Sequence, residues 1–252
     1  MTHLVCFDMD RVLVDHLSTW QYVYDQMGIN NDEAFDLYNQ GKLDEWDWIK
    51  LDLALIKSSL DRPITDGHLR SLMEGMPMMK GWEMLIEHLL SQGVNVAIVS
   101  GGLQKTARDI AACFPSNRPW RRRWGGIDRH TAREQAGGMD SMLHVFTNGW
   151  LASTPLESGD SLINEYGRYQ VQMDGKGSVV KMLQRRLNVS KEHTASVGDS
   201  SGDIGMFKES SCAILFNPWD DRPKKHAHFV IEEKDLGLVL DRICESLSIP
   251  KP

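Results

Sequence analysis

The stretch LVCFDMD at residues 4–10 places four apolar residues directly before two carboxylates at alternate positions. A short apolar run that ends abruptly in polar residues is typical of a strand buried on both faces of a parallel sheet. In open α/β sheets the ligand crevice lies outside the carboxyl ends of the strands, so Asp8 and Asp10 should face it. Two crowded carboxylates repel each other unless a cation or a shared proton intervenes. The pattern favours a Mg²⁺ site with one nucleophilic and one proton-transferring carboxylate, and an ordinary strand-end turn is the alternative.

The composition is that of an ordinary globular protein. Its 252 residues, 41% hydrophobic and 25% charged, suffice for one large domain or for a core domain with a smaller insert. The net charge of -7 gives nucleic-acid binding no electrostatic support, and no apolar stretch approaches the roughly 20 residues of a membrane span. The amino terminus lacks a signal-peptide pattern, and the four cysteines form no Cys-x-x-Cys pair. We therefore expect a reduced, cytoplasmic protein with no zinc site and no nucleic-acid or membrane partner.

Residues 18–80 show a helical pattern without a convincing strand. Apolar residues recur at helical spacing, and the stretches are interrupted at Gly28, Gly41 and Pro63. An all-helical segment that follows an active-site strand is typical of a lid over the crevice. The alternative is that these helices pack elsewhere on the core. The predicted domains are a helical cap at 16–80 and a core formed by 1–15 and 81–252.

The α/β alternation resumes at Gly81. The predicted elements are helices at 82–91, 103–113, 178–187, 204–209 and 236–247, and strands at 94–99, 194–198, 212–216 and 229–231. Residues 145–147 and 170–173 are predicted to be extended, around a hairpin-like excursion. A cap at Gly177 or Ser178 should begin the helix at 178–187.

An arginine-rich stretch at 115–143 has no stable apolar period. Its six arginines, against only three acidic residues, are Arg118, Arg121, Arg122, Arg123, Arg129 and Arg133. Because arginine forks suit phosphates, the stretch is either an anion- or partner-binding loop or a variable surface insertion.

Three predicted strands end in polar residues that should meet at one edge of the sheet. The residues are Asp8 and Asp10, Ser100, and Asp199 and Asp203, with Lys176 opening a helix between the last two strands. This set suits phosphoryl transfer, because Asp8, Asp199 and the Asp10 carbonyl offer the oxygen ligands that Mg²⁺ prefers. Lys176 and Ser100 can bind phosphoryl oxygens, and backbone N–H groups after Ser100 can add to that cradle. Asp8 would attack phosphorus, and Asp10 would protonate the leaving oxygen and then deprotonate water.

Four segments resemble the motifs of the haloacid dehalogenase superfamily, most closely those of its phosphoserine phosphatase-like branch. The segments are Asp8-Met9-Asp10, Ser100-Gly101-Gly102, Lys176 with Gly177, and VGDSSGDIGMF at 197–207. The resemblance covers nearly the whole chain except the arginine-rich stretch. It implies an α/β fold with a Rossmann-like parallel sheet core and a small helical cap inserted after the first strand.

The resemblance also implies a Mg²⁺-dependent phosphatase that acts on a small phosphorylated metabolite. The implied catalytic residues are Asp8 and Asp10, and the implied substrate-binding residues are Ser100, Gly101 and Lys176. The implied metal ligands are Asp8, Asp10 and Asp199, with Asp203 behind them. A phosphotransferase or mutase that uses the same intermediate is an alternative. A non-catalytic phospho-ligand or partner-binding protein is another, which the intact acidic residues argue against.

Four departures from the branch bear on metal and substrate. Arg11 stands where the branch commonly has a small residue, and Gly202 stands in place of its usual Asn. Leu17 takes the position of an acidic substrate-binding residue, and Asp52 takes that of a carboxylate-binding arginine in a gapless comparison. Phosphoserine is therefore not the expected substrate.

Overall fold

We describe a computed structural model of the chain, which covers residues 2–114, 129–130 and 143–252. The arginine-rich stretch predicted at 115–143 lies almost wholly outside the described residues, so both of its interpretations stay open. Within the described part of the chain, no helix is long and apolar enough to cross a membrane.

Strand β1 is followed by an all-helical segment, and helices and strands are mixed in the rest of the described chain. The α-helices are α1 (Thr19–Met27), α2 (Asp32–Asn39), α3 (Glu45–Ser58), α4 (Asp66–Leu72), α5 (Trp82–Ser91), α6 (Gln104–Ala112), α7 (Lys176–Leu187), α8 (Ile204–Lys208) and α9 (Leu236–Leu247). The strands are β1 (Leu4–Phe7), β2 (Asn95–Leu103), β3 (Arg129–His130), β4 (Leu143–Asn148), β5 (Ala152–Pro155), β6 (Ser161–Ile163), β7 (Thr194–Gly198), β8 (Cys212–Phe216) and β9 (Phe229–Ile231).

A seven-stranded sheet in the order β3-β4-β2-β1-β7-β8-β9 forms the centre of the core. Its strands are parallel except for β3, which pairs antiparallel with β4. Strand β1 lies between β2 and β7, with Phe7 opposite both Ile98 and Val197. The three strands therefore end side by side, and the predicted α/β fold with a Rossmann-like parallel sheet is confirmed.

Both faces of strand β1 are buried, as its unbroken apolar run predicts. Val5 and Phe7 pack into a cluster with residues of α5, α6 and α9. Leu4 and Cys6 point to the opposite face, where they pack with residues of α7 and α8. Alternate residues of a strand point to opposite faces, so a strand covered by helices on both sides must be apolar throughout.

Helices α1, α3 and α4 share a separate apolar cluster that also takes in Ile163 of the β5–β6 hairpin and Trp150, which precedes that hairpin. Both are tied to α4, because Gly67 N–H donates to Asp160 Oδ1 in the hairpin at 2.9 Å and Trp150 Nε1 donates to Asp66 Oδ1 at 2.7 Å. The cap boundary at 16–80 stays a prediction, and the structure adds this hairpin to the surface of the same helices.

Several local predictions are wrong. Residues 170–173 are irregular rather than a strand, because Asn148 binds their backbone through its side chain. Ser100, Gly101 and Gly102 lie in a bulged end of β2 rather than at a helix start. Helix α7 begins at Lys176, and its preceding residue, Gly175, supplies no side-chain cap, so the predicted cap at Gly177 or Ser178 is absent. The helices at 82–91 and 236–247 and the strands at 194–198, 212–216 and 229–231 are confirmed.

Candidate active site

Lys176 is the centre of a buried charged cluster at the carboxyl edge of the sheet. Its Nζ lies 2.8 Å from Asp8 Oδ2 and 2.7 Å from Asp203 Oδ1. Burial acts to lower the pKa of Lys176, but Asp203 and Asp8 together hold that pKa above its ordinary value. The side chain therefore stays a cation although only 3% of its surface is exposed.

Helix α7 brings Lys176 into this cluster because it packs tightly against the segment that follows β7. A Cβ added to Gly177 would lie 2.6 Å from the carbonyl oxygen of Gly205, which a real side chain cannot do. The small residue after Lys176 thus allows the start of α7 to approach the acidic loop, residues 199–203, that follows β7. This explains why the Lys-Gly pair opens the helix.

Asp203 braces the loop that carries Asp199. Its Oδ2 accepts hydrogen bonds from the backbone N–H groups of Asp199 at 2.9 Å and Ser200 at 3.1 Å. Its other oxygen accepts from Lys176, so Asp203 is engaged on both sides. These contacts fit its predicted place behind the metal ligands.

Asp10 is held by the start of helix α1. Its Oδ1 accepts from the backbone N–H of Thr19 at 3.0 Å, and the hydroxyl of Thr19 accepts from the N–H of Leu103 at 2.7 Å. Gly102 makes this junction possible, since a Cβ there would lie 2.5 Å from Asp10 Oδ2. Burial, with the charge of Asp8 second, raises the pKa of Asp10 to about 7. A carboxyl group with that pKa can both donate and accept a proton near neutral pH.

Ser100 and Gly101 lie at the end of β2, beside β1. Ser100 is buried, and its hydroxyl accepts from the N–H of Gly102 at 3.1 Å. The carbonyl of Gly101 accepts from the indole N–H of Trp20 at 3.3 Å, which ties α1 to this bulge. The structure therefore brings all the predicted site residues to one edge of the sheet, although their roles stay predictions.

The carboxylates of Asp8, Asp199 and Asp203 can hold a metal ion. One oxygen of each lies within 4.8 Å of the others, and all three side chains are buried. Oxygen-only donors suit a hard cation such as Mg²⁺. Both oxygens of Asp8 and of Asp203 already have partners within the chain, so Asp8 and Asp199 stay the predicted ligands. Burial and the charges of Asp203 and Asp8 raise the pKa of Asp199, against the opposing charges of Lys176 and Arg11.

Sequence reasoning noted Arg11 only as a departure, yet it contacts the acidic cluster. Its Nε lies 2.9 Å from Asp199 Oδ2, and its Nη2 donates to the carbonyl of Asn217 at 2.9 Å. Its guanidinium lies over the ring of Trp219, 5.0 Å from the centroid. The position of Arg11 directly after Asp8-Met9-Asp10 is the sequence signal that could have indicated these contacts.

Sequence reasoning missed Glu45 altogether. It begins helix α3, and its two oxygens accept from the N–H of Met173 at 3.0 and 2.9 Å. The hydroxyl of Tyr38 donates to the same carboxylate at 3.1 Å. Met173 lies beside Gly101, where a Cβ would be 3.6 Å from its Cγ. Glu45 therefore joins the helical segment to the rim of the candidate active site.

Leu17 and Asp52, the two departures from the branch, do not carry the charges that the resemblance implies at these positions. Leu17 is an apolar side chain that is 46% exposed. Asp52 is buried within the helical segment, where the amide of Asn31 donates to it, and burial raises the pKa of Asp52 to about 7.

Comparisons with known proteins agree with this fold. A family model described as haloacid dehalogenase-like hydrolase matches residues 172–241, which contain Lys176 and the acidic loop. The phosphoserine phosphatase of Wolinella succinogenes is 24% identical over 241 residues, which are 94% of this chain and 98% of that protein. The phosphoserine phosphatase of Methanocaldococcus jannaschii is 25% identical over 251 residues, covering 95% of this chain and 97% of that protein.

A substrate-bound phosphoserine phosphatase structure superposes with a TM-score of 0.69 at 21% identity, over 96% of this chain and 99% of that one. In its fold and over residues 172–241, the chain is similar to haloacid dehalogenase-like hydrolases. The predicted resemblance to the phosphoserine phosphatase-like branch is confirmed, and so is the prediction of a phosphatase-type enzyme.

Proposed function

We propose that this chain is a Mg²⁺-dependent phosphomonoester hydrolase that acts on a small soluble metabolite. The observation that carries the proposal is the buried Lys176, which lies between Asp8 and Asp203 at the edge where Asp10 and Ser100 also lie. Such a cluster is costly to bury and is typical of a functional site. A cytoplasmic location is proposed with it, supported by four cysteines that are all free.

The proposed reaction has two steps that share one covalent intermediate. An oxygen of Asp8 attacks phosphorus, the bond from phosphorus to the substrate oxygen breaks, and Asp10 gives its proton to that leaving oxygen. The ionised Asp10 then takes a proton from water as the water oxygen attacks the aspartyl-phosphate. The bond to Asp8 breaks, which restores the carboxylate and releases inorganic phosphate.

The remaining groups of the site are proposed to bind the phosphoryl group and the metal ion. Lys176, the Ser100 hydroxyl and the backbone N–H of Gly101 are proposed to bind the phosphoryl oxygens, whose negative charge they offset. Asp8, Asp199 and the Asp10 carbonyl would hold Mg²⁺, which when bound neutralises the phosphoryl group and draws it to Asp8. Asp203 keeps both Lys176 and the Asp199 loop in place.

The proposed substrate differs from that of the named relatives. A phosphoserine substrate carries an ammonium and a carboxylate, and neither Leu17 nor Asp52 offers a suitable partner for them. Leaving a charge unpaired in a closed site costs roughly 1–3 kcal/mol or more. Two such losses would lower kcat/KM by about two to four powers of ten, at roughly tenfold per 1.4 kcal/mol.

A phosphate-release screen across phosphorylated metabolites, with and without Mg²⁺, tests this function. We expect Mg²⁺-dependent release that a chelator stops, and an Asp199→Ala variant that needs more Mg²⁺ for half-maximal activity. We also expect kcat/KM for phosphoserine to be no higher than for simple aryl or sugar phosphates. Full activity in excess chelator would contradict the metal requirement, and a clear preference for phosphoserine would contradict the substrate proposal.

A further inference from the structure

Arg11 is a second, partly buried cation beside the acidic cluster, and the proposed mechanism does not use it. Lys176 pairs with Asp8 and Asp203, whereas Asp199 receives its ion pair from Arg11 at 2.9 Å. The guanidinium is a permanent positive charge, since arginine does not lose its proton in proteins. It therefore lies next to Asp199, one of the predicted ligands of the cation.

Three further contacts keep Arg11 in this position. Its Nη2 donates to the carbonyl of Asn217, and the amide of Asn217 donates back to the Arg11 carbonyl at 3.2 Å. The ring of Trp219 covers the guanidinium, and the N–H of Trp219 donates to the carbonyl of Asp199 at 2.8 Å. Arg11 itself has a φ of 61°, in the region that non-glycine residues rarely adopt. A strained backbone that carries a well-anchored charge indicates a position with a role in the site.

We propose that Arg11 is a positioning residue that balances and orients Asp199 before the metal ion binds, and thereby weakens the affinity of the site for Mg²⁺. This inference rests on the proposed metal site. Because like charges repel most strongly where water is scarce, a divalent cation beside Asp199 is opposed by the guanidinium. Without that guanidinium, Asp199 would face the other carboxylates with Lys176 as the nearest described cation.

A merely structural role is the competing explanation. Arg11 would then serve only to anchor residues 217–219, and its replacement would change the stability of the chain equally with and without Mg²⁺. The two explanations differ in what they predict for the affinity of the metal.

The test compares Arg11→Gln with Arg11→Lys. Both side chains meet the same backbone strain at φ 61°, but only lysine keeps the positive charge. Magnesium binding is measured by calorimetry, and the melting temperature is measured in chelator and in saturating Mg²⁺. A Trp219→Leu variant, which removes the ring contact and keeps the ion pair, is the control for loop anchoring.

We expect Arg11→Gln to bind Mg²⁺ about tenfold more tightly than the unaltered chain, as the loss of one nearby charge implies. Arg11→Lys and Trp219→Leu should stay within about twofold. In chelator, Arg11→Gln should melt lower than Arg11→Lys, and Mg²⁺ should restore more stability to it.

An unchanged or weaker Mg²⁺ affinity in Arg11→Gln, alongside Mg²⁺-dependent hydrolysis by the unaltered chain, would overturn this inference alone. A shift of the affinity in Trp219→Leu as large as that in Arg11→Gln would also overturn it, in favour of loop anchoring. Absence of Mg²⁺ binding in both the unaltered chain and Arg11→Gln would overturn it together with the metal site of the proposed function.

Discussion

Carboxylates are buried in two regions of the molecule, and their neighbours differ in charge. At the edge of the sheet, Asp8, Asp199 and Asp203 have Lys176 and Arg11 within ion-pair distance. In the helical segment, Asp52 has a neutral donor, the amide of Asn31. Burial raises the pKa of carboxyl groups in both regions, but only at the sheet edge do cations oppose that rise. The difference marks the sheet edge as the region built for chemistry.

Among the variants that test this difference, Lys176→Met should lower the stability of the chain the most. The change leaves Asp8 and Asp203 buried without their shared cation, which we expect to lower the free energy of unfolding by about 3–5 kcal/mol. Phosphate release should also fall sharply, since the phosphoryl group loses its ammonium ligand. Urea denaturation at pH 7 measures the stability change. Lys181→Met on the same helix is the matched control, because that exposed lysine should contribute less than about 1 kcal/mol. Equal stability of the two variants would mean that the buried cluster is not held together by Lys176.

Replacing Asp52 with Asn should remove the pH dependence that this one buried carboxyl group gives to the stability of the chain. The pKa of Asp52 is raised to about 7 in the folded chain, so the folded state binds its proton more tightly than the unfolded state. Its stabilising contribution is complete below about pH 4 and is lost as the pH rises through 7. We therefore expect the Asn variant to equal the unaltered chain at pH 4 and to exceed it by about 1–3 kcal/mol at pH 8.

Urea denaturation at the two pH values measures this effect, with Asp36→Asn on the exposed face of α2 as the control. A gain that is the same at both pH values would show that Asp52 is already ionised in the folded chain.

The Glu45→Gln variant tests the contact between the two regions and should have the smallest effect. The amide keeps one acceptor oxygen for Met173 N–H or the Tyr38 hydroxyl and loses the other, which costs about 0.5–1.5 kcal/mol. We expect KM for an aryl phosphate to rise about two- to fivefold while kcat changes little. Glu33→Gln, on the exposed surface of α2, is the control. An unchanged KM would mean that this contact does not help to hold substrate.

Much of the sheet could be predicted because β1, β8 and β9 are unbroken apolar runs with a polar end. Strands β7, β8 and β9 and helices α5 and α9 have the predicted bounds. The same logic placed Asp8, Asp199 and Lys176 at one edge, since parallel strands end together.

The contacts that could not be predicted join distant parts of the chain. Glu45 binds a backbone N–H 128 residues away, and Arg11 binds an acid 188 residues away. The bulge at the end of β2 depends on Gly102 making room for Asp10, and the irregular backbone at 170–173 depends on Asn148. None of these contacts leaves a periodic pattern in the sequence, because each depends on packing between elements rather than on local preference.

The most direct test of the account is phosphate release by purified Asp8→Asn at saturating Mg²⁺. An amide is no nucleophile, so we expect a loss of activity on the order of a thousandfold or more, with the circular dichroism spectrum unchanged. Phosphate release near the unaltered rate by the folded variant would contradict an aspartyl-phosphate on Asp8.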